Sequence, residues 1–170
     1  RGCAVPALLG GCWANEVRSP LGGGGCGAEL GRRGLSGGWQ VGSAGVWALE
    51  GSPAARAALQ TAASRGWNLA QHVARPVTEE LLRGADLVLV MEREHLEALR
   101  ESFPRFGDRI HLMSEMVGEA GEVEDPIGLP LERVRSLLDE LERILQAGWP
   151  RIRALAEAGR SGSAADGAQG

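Results

Sequence analysis

Residues 86–91 read Asp-Leu-Val-Leu-Val-Met. The apolar run is too short for a buried helix. It also lacks the polar residue at every second place that a half-exposed strand would carry. It fits a parallel strand covered on both faces, which reads as a continuous branched apolar run. Parallel strands need crossover connections, usually helices. One such strand therefore commits its neighbours to an alternation of strand and helix.

The rest of the chain supplies that alternation. Residues 4–9 are apolar and predict a first strand, although Pro6 removes a ladder donor. Residues 11–19 read as a loop, and Pro20 stands where a helix can open. A helix is due over 21–34 but reads poorly, because Gly22, Gly23, Gly24 and Gly25 are consecutive. At about 1 kcal/mol each relative to Ala, they cost a helix roughly 4 kcal/mol. Residues 39–43 predict a second strand. Ser52 as N-cap and Pro53 as first residue predict a helix to about residue 64. Thr78 caps a short helix over 79–83, and a helix over 93–102 stops before Pro104. Residues 109–113 give a fourth strand, and 119–128 a polar loop. Leu131, Val134, Leu137, Leu138, Leu141, Ile144 and Leu145 mark the apolar stripe of a long helix. Residues 159–170 are rich in Gly, Ser and Ala and predict a disordered tail, leaving one domain over 1–158. Four strands alternating with helices predict a parallel sheet with right-handed crossovers. Such sheets bind ligands at the carboxyl ends of their strands, so the loop after the first strand is the first place to look.

That loop reads Cys12-Trp13-Ala14-Asn15-Glu16-Val17-Arg18-Ser19-Pro20. A Cys with an Arg six positions on suits phosphate chemistry. The residues between can curl so that their N–H groups converge on one anion, and the Arg closes the ring with a bidentate fork. A following helix adds its positive end, and such a field favours a thiolate nucleophile. The spacing alone is weak: Cys26 and Arg32 repeat it. Cys26, however, has no strand before it and no hydroxyl after its Arg. Cys12 has an apolar segment before it, and Ser19, which can donate to the thiolate, after Arg18.

Five motifs in order resemble the low-molecular-weight protein-tyrosine-phosphatase family. The family's Cys-x-x-Asn-x-x-Arg-Ser-Pro is matched by Cys12, Asn15, Arg18, Ser19 and Pro20. Its strand ending Ser-Ala-Gly is matched by Ser43, Ala44 and Gly45, and its His-x-Ala-Arg by His72, Val73, Ala74 and Arg75. Residues 86–91 resemble its third strand, and Asp125-Pro126 its late Asp-Pro. The resemblance covers roughly residues 4–152. It implies an α/β, three-layer, doubly wound sandwich: a four-stranded parallel sheet of order 2-1-3-4 with helices on both faces. It implies a nucleophile at Cys12, phosphate binding by Arg18 and by the loop residues Trp13, Ala14, Asn15, Glu16, Val17 and Ser19, and a general acid at Asp125. Ser43 and His72 would support Asn15, and Trp47 and Ile127 would line the substrate rim. No cofactor is implied.

The chain departs from the family at named positions. Glu16 stands where Thr or Ile is usual, Val17 replaces a second loop Cys, and Ile127 replaces an aromatic. A carboxylate about 5 Å from a phosphate dianion is repelled by about 1 kcal/mol per charge pair in water. The leading expectation is hydrolysis of phosphotyrosine in protein substrates. Similarity of the Ser-Ala-Gly-Val stretch, of residues 111–117 and of Glu122 to Gly128 to the bacterial arginine-phosphatase branch makes phosphoarginine an alternative, with Glu16 meeting the substrate guanidinium. A catalytically inactive phosphate-binding pseudophosphatase is the non-enzyme alternative. Arsenate reduction on this fold needs redox cysteines in the middle of the chain, and no Cys follows Cys26.

Composition excludes other classes. The chain has 170 residues with a net charge of −4, and every basic residue is Arg, scattered among Glu. No basic stripe indicates nucleic acid. Cys3, Cys12 and Cys26 are an odd set without CxxC, and His72, His95 and His111 lack ligand spacing. Reduced thiols and no metal are expected. No run suits a membrane span, and residues 1–11 do not resemble a leader. A cytoplasmic monomer is the expectation.

Overall fold

The computed structural model describes residues 6–12, 14–126 and 128–166. The elements follow as β1 (Ala7–Cys12), α1 (Arg18–Arg32), β2 (Gln40–Gly45), α2 (Arg56–Ser64), α3 (Glu79–Gly84), β3 (Leu87–Val90), α4 (Arg93–Ser102), β4 (Ile110–Leu112) and α5 (Leu131–Asp166). The sheet order is β2-β1-β3-β4 with every pairing parallel. Side chains of β3 alternate between its two faces, as strand geometry requires. Leu87, Leu89 and Met91 join a core with Leu21, Leu138, Leu141 and Ile144 of α1 and α5. Val88 and Val90 join a second core with Leu82, Leu96 and Leu99 of α3 and α4. Helices therefore cover both faces, and the fold is the three-layer α/β sandwich that the resemblance implies.

The helix that read poorly is fully formed. α1 spans 15 residues and contains the whole glycine run. At two of the four glycines the neighbours leave little room for a larger residue. A Cβ on Gly25 would lie 2.8 Å from Leu145 Cδ1 and 3.1 Å from the Trp67 ring, and one on Gly22 would lie 3.2 Å from Met91 Cε. Close packing offsets the poor propensity, a tertiary override that no local scale contains.

Three boundaries differ from the sequence expectation. β1 extends through Gly10 and Gly11 to Cys12, so the loop starts later than residue 11. Gly11 pairs with Ala44 and Val90 on its two sides, and a Cβ there would press on Val90 at 3.1 Å. Ser52 and Pro53 do not begin a helix: Pro53 pairs with Val73 and the Ser52 carbonyl accepts from Ala74 N–H at 2.6 Å. α2 starts at Arg56 after an uncapped Ala55. The expected disordered tail is helical as far as Asp166. α5 is fastened there, since Ile152 and Ala156 are buried and a Cβ on Gly159 would collide with the Asp86 carbonyl. Propagation then adds one hydrogen bond per further residue. Ala4 and Val5 of the expected first strand lie outside the described residues. Among the described residues, no helix is long and apolar enough to cross a membrane.

Candidate active site

β1 delivers Cys12 to the carboxyl end of the sheet, and residues 14–17 lead into α1. Cys12 is 3% exposed. Its Sγ lies 2.9 Å from Ser19 Oγ and receives the Asn15 backbone N–H at 3.3 Å. Ser19 Oγ accepts from Asn15 Nδ2 at 2.8 Å. That leaves the Ser19 hydroxyl hydrogen for the sulfur.

Asn15 holds the turn. Its φ of 61° is left-handed, a region that Asn tolerates better than most residues. Its side chain also donates to Ser43 Oγ at 2.9 Å and accepts from Arg75 N–H at 3.1 Å. Its carbonyl lies 2.7 Å from His72 Nε2, so that nitrogen carries the proton. The loop is tied to β2 and to the 72–75 segment through one buried amide. The sequence places Ser43 and His72 around Asn15, and the geometry brings them together there. The Arg75 backbone contact was missed, because a main-chain donor leaves no mark in side-chain patterns.

Arg18 is 2% exposed and sits at the first turn of α1. Its Nη1 donates to the Val123 carbonyl at 2.9 Å and pairs with Glu92 Oε1 at 2.8 Å. Its Nη2 pairs with Asp125 Oδ2 at 3.1 Å. A guanidinium carries five N–H donors. Both Nη atoms are thus engaged by Val123 and Asp125, with Glu92 as a further charge partner. The Nε and Nη2 edge of a guanidinium is the parallel fork that suits two oxygens of a phosphate. Glu92 was missed by the sequence reading. Its place immediately after β3, where parallel sheets expose functional groups, was the available signal.

His95 lies beneath Glu92 in the first turn of α4. It is fully buried, its Nδ1 accepts the Glu92 N–H at 3.1 Å, and its Nε2 lies 3.4 Å from Glu92 Oε2. Burial, with the Arg18 charge second, pushes its pKa down from 6.5 to about 4. The ring is neutral at physiological pH.

The remaining loop positions serve the frame. Val17 is buried and its carbonyl accepts from Leu21 N–H at 3.0 Å. Ala14 and Glu16 are half-buried, and the Glu16 carbonyl accepts from Ala55 N–H at 2.8 Å. Trp47 is 79% exposed, one residue after Val46, whose N–H donates to the Cys12 carbonyl at 2.8 Å. Trp13 and Ile127 lie outside the described residues. Cys26, which shares the Cys-to-Arg spacing, is buried inside α1, and burial followed by the Glu29 charge pushes its thiol up to about 12. Its Arg32 pairs with Glu29 and Glu142 instead of facing a loop. Among the described residues no group of His, Cys, Asp or Glu could hold a metal ion.

The chain is similar to known proteins. The family model for low molecular weight phosphotyrosine protein phosphatase matches residues 9–157. A protein-arginine-phosphatase of Bacillus subtilis is 35% identical over 136 residues, spanning 79% of this chain and 89% of the relative. The low molecular weight protein-tyrosine-phosphatase Etp of Escherichia coli is 33% identical over 141 residues, spanning 83% of this chain and 90% of the relative. The solved low molecular weight protein tyrosine phosphatase of T. tengcongensis superposes with a TM-score of 0.81 at 35% identity, covering 86% of this chain and 99% of that one. With a family match across most of its length and the family's sheet order, the chain belongs to the low molecular weight phosphotyrosine protein phosphatase family.

Proposed function

We propose that this phosphatase hydrolyses phosphotyrosine in protein substrates through a phosphocysteine intermediate. The observation that carries the reading is the pairing of Arg18 Nη2 with Asp125 Oδ2 at 3.1 Å, in a loop where Cys12 Sγ lies 2.9 Å from Ser19 Oγ. In this reading Cys12 is the nucleophile, Arg18 the phosphate-binding group and Asp125, in contact with Arg18, the acid. Phosphate oxygens take Arg18 N–H donors and the loop N–H groups, which stabilise charge on the equatorial oxygens. The Cys12 thiolate attacks phosphorus in line; the S–P bond forms as the P–O ester bond breaks. Asp125 gives its proton to the departing phenolate. Water then attacks the phosphocysteine, Asp125 takes a proton from it, and the S–P bond breaks to return the thiolate. Ser19 holds the thiolate, Asn15 the loop, and Ser43 and His72 hold Asn15. The reading assigns the substrate rim to Trp47 and, by the family resemblance, to Ile127, where a ring can pack. The reading includes a cytoplasmic monomer.

Phosphoarginine is the second reading. Relatives named protein-arginine-phosphatase are 35% and 34% identical to this chain. Glu16 adds a carboxylate to the loop, which suits a substrate with a cationic guanidinium beside phosphorus and opposes a phosphotyrosine dianion.

The test is p-nitrophenyl phosphate hydrolysis by wild type, Cys12→Ser and Asp125→Asn over roughly pH 5 to 8, where acid and base roles separate. Loss with Cys12→Ser and reduction with Asp125→Asn is expected. No turnover by folded wild type would leave a phosphate-binding pseudophosphatase. Competing phosphotyrosine and phosphoarginine peptides, with Glu16→Thr alongside wild type, separate the two substrates. Turnover of phosphotyrosine at least equal to that of phosphoarginine and unchanged by Glu16→Thr rejects the second.

A further inference from the structure

The segment that presents Asp125 has no regular structure, yet it is fastened along its length. Glu119 pairs with Arg143 of α5 through both carboxylate oxygens, at 3.0 and 3.2 Å. Ser114 Oγ donates to the Gly121 carbonyl at 2.5 Å. Val123, fully buried, donates its N–H to the Met91 carbonyl at 2.9 Å and accepts from Arg18 Nη1 at 2.9 Å. One further contact is made by a side chain. Glu122 Oε1 accepts the Arg93 backbone N–H, the first of α4, at 2.9 Å.

The last two contacts form a pattern. Both join residues 91–93 to residues 122–123: Val123 N–H donates to the Met91 carbonyl, and Arg93 N–H donates to the Glu122 carboxylate. The first N–H of a helix has no partner within the helix and sits at its positive end, so a carboxylate is well placed there. Glu92, the residue before α4, pairs with Arg18. One helix terminus therefore holds the phosphate-binding Arg and, through Glu122, the segment that carries Asp125.

We propose that Glu122 is a positioning residue that fixes the acid segment against α4 so that Asp125 lies over the leaving group; this rests on the phosphatase reading above. Without the Glu122 contact, the chain between Val123 and Gly121 loses its tie to α4, and Asp125 shifts relative to the phosphate. Glu122 touches no reacting atom. Its removal should therefore cost most where proton donation matters most.

Kinetics of Glu122→Ala and Glu122→Gln on phenyl phosphate and p-nitrophenyl phosphate test this, with inorganic phosphate as a competitive ligand. Phenolate is the poorer leaving group and depends more on the acid. Glu122→Ala should lower kcat/KM for phenyl phosphate by about tenfold and for p-nitrophenyl phosphate by less than about threefold. Inhibition by phosphate should be unchanged. Glu122→Gln retains an oxygen acceptor and should stay within about twofold of wild type on both substrates. In an Asp125→Asn background, Glu122→Ala should cost nothing further. Equal losses on both substrates, weaker phosphate binding, or failure of Gln to restore the rate would overturn the proposal. Full activity of Glu122→Ala on both substrates would do so too, while leaving the phosphatase reading intact. Absence of turnover by wild type would instead reject the phosphatase reading.

Discussion

Arg18 Nη1 and Glu92 Oε1 lie 2.8 Å apart, with the guanidinium side chain 2% and the carboxylate side chain 20% exposed. A nearly buried charge that loses its partner is costly, of order 3 kcal/mol when the pair is interior. Glu92→Ala should lower stability by about 2–3 kcal/mol in urea unfolding and weaken inorganic phosphate binding at least tenfold. Glu92→Gln keeps an acceptor and should cost about half as much. Wild-type stability in Glu92→Ala would mean that Val123 and Asp125 suffice to hold Arg18.

The Arg18–Asp125 contact makes a second prediction. Asp125 Oδ2 accepts from Arg18 Nη2, the side chain proposed to bind phosphate. Its negative charge opposes the incoming dianion. Asp125→Asn removes the charge and should tighten inorganic phosphate, measured by calorimetry, about threefold to tenfold, equivalent to roughly 1 kcal/mol. Turnover should fall in the same variant. Unchanged phosphate affinity would show that this ion pair does not persist in solution.

The sheet and the site were unequally legible. The strand over residues 86–91 was visible because both of its faces are buried, and α4 because its polar and apolar residues fall at helical spacing with Pro104 to stop it. The Cys12-to-Pro20 motif was readable because its spacing suits the curl of backbone around one anion. Contacts between distant segments were not legible. Glu92 under Arg18 and Glu122 on Arg93 N–H join residues 74 and 29 positions apart, and no local pattern records them. α1 was misjudged for the same reason. The value of Gly25 lies in Leu145 and Trp67, which are remote in sequence.

The glycines of α1 differ in what an added methyl would meet. Gly27 is exposed in mid-helix with nothing within 4 Å of an added Cβ. Gly27→Ala should stabilise by about 1 kcal/mol, the helix-propensity difference. Gly25→Ala would place its Cβ 2.8 Å from Leu145 Cδ1 and 3.1 Å from the Trp67 ring. Overpacking of this kind costs about 1–3 kcal/mol, which outweighs the propensity gain. Thermal unfolding of the two variants should move in opposite directions. Stabilisation by both would mean that Leu145 and Trp67 yield easily.

His95 predicts a pH dependence of folding. Its pKa is about 4 in the folded chain against an ordinary value of 6.5, held down first by burial and then by Arg18. Between those values the unfolded chain binds a proton that the folded chain refuses, so stability rises with pH across that window and is lost as pH falls from 6.5 towards 4. Above 6.5 both states are neutral, and below 4 both are protonated, so the His95 contribution is flat on either side. Each unit within the window is worth about 1.4 kcal/mol, up to roughly 3 kcal/mol in all. The carboxylates add their own slope, so the informative quantity is the difference from His95→Gln, which has nothing to titrate there. Urea unfolding at about pH 7 and about pH 4.5 should show wild type losing some 2–3 kcal/mol more than the variant over that interval. Parallel losses would mean that water reaches the ring and that its proton is taken up in the folded chain as readily as in the unfolded one.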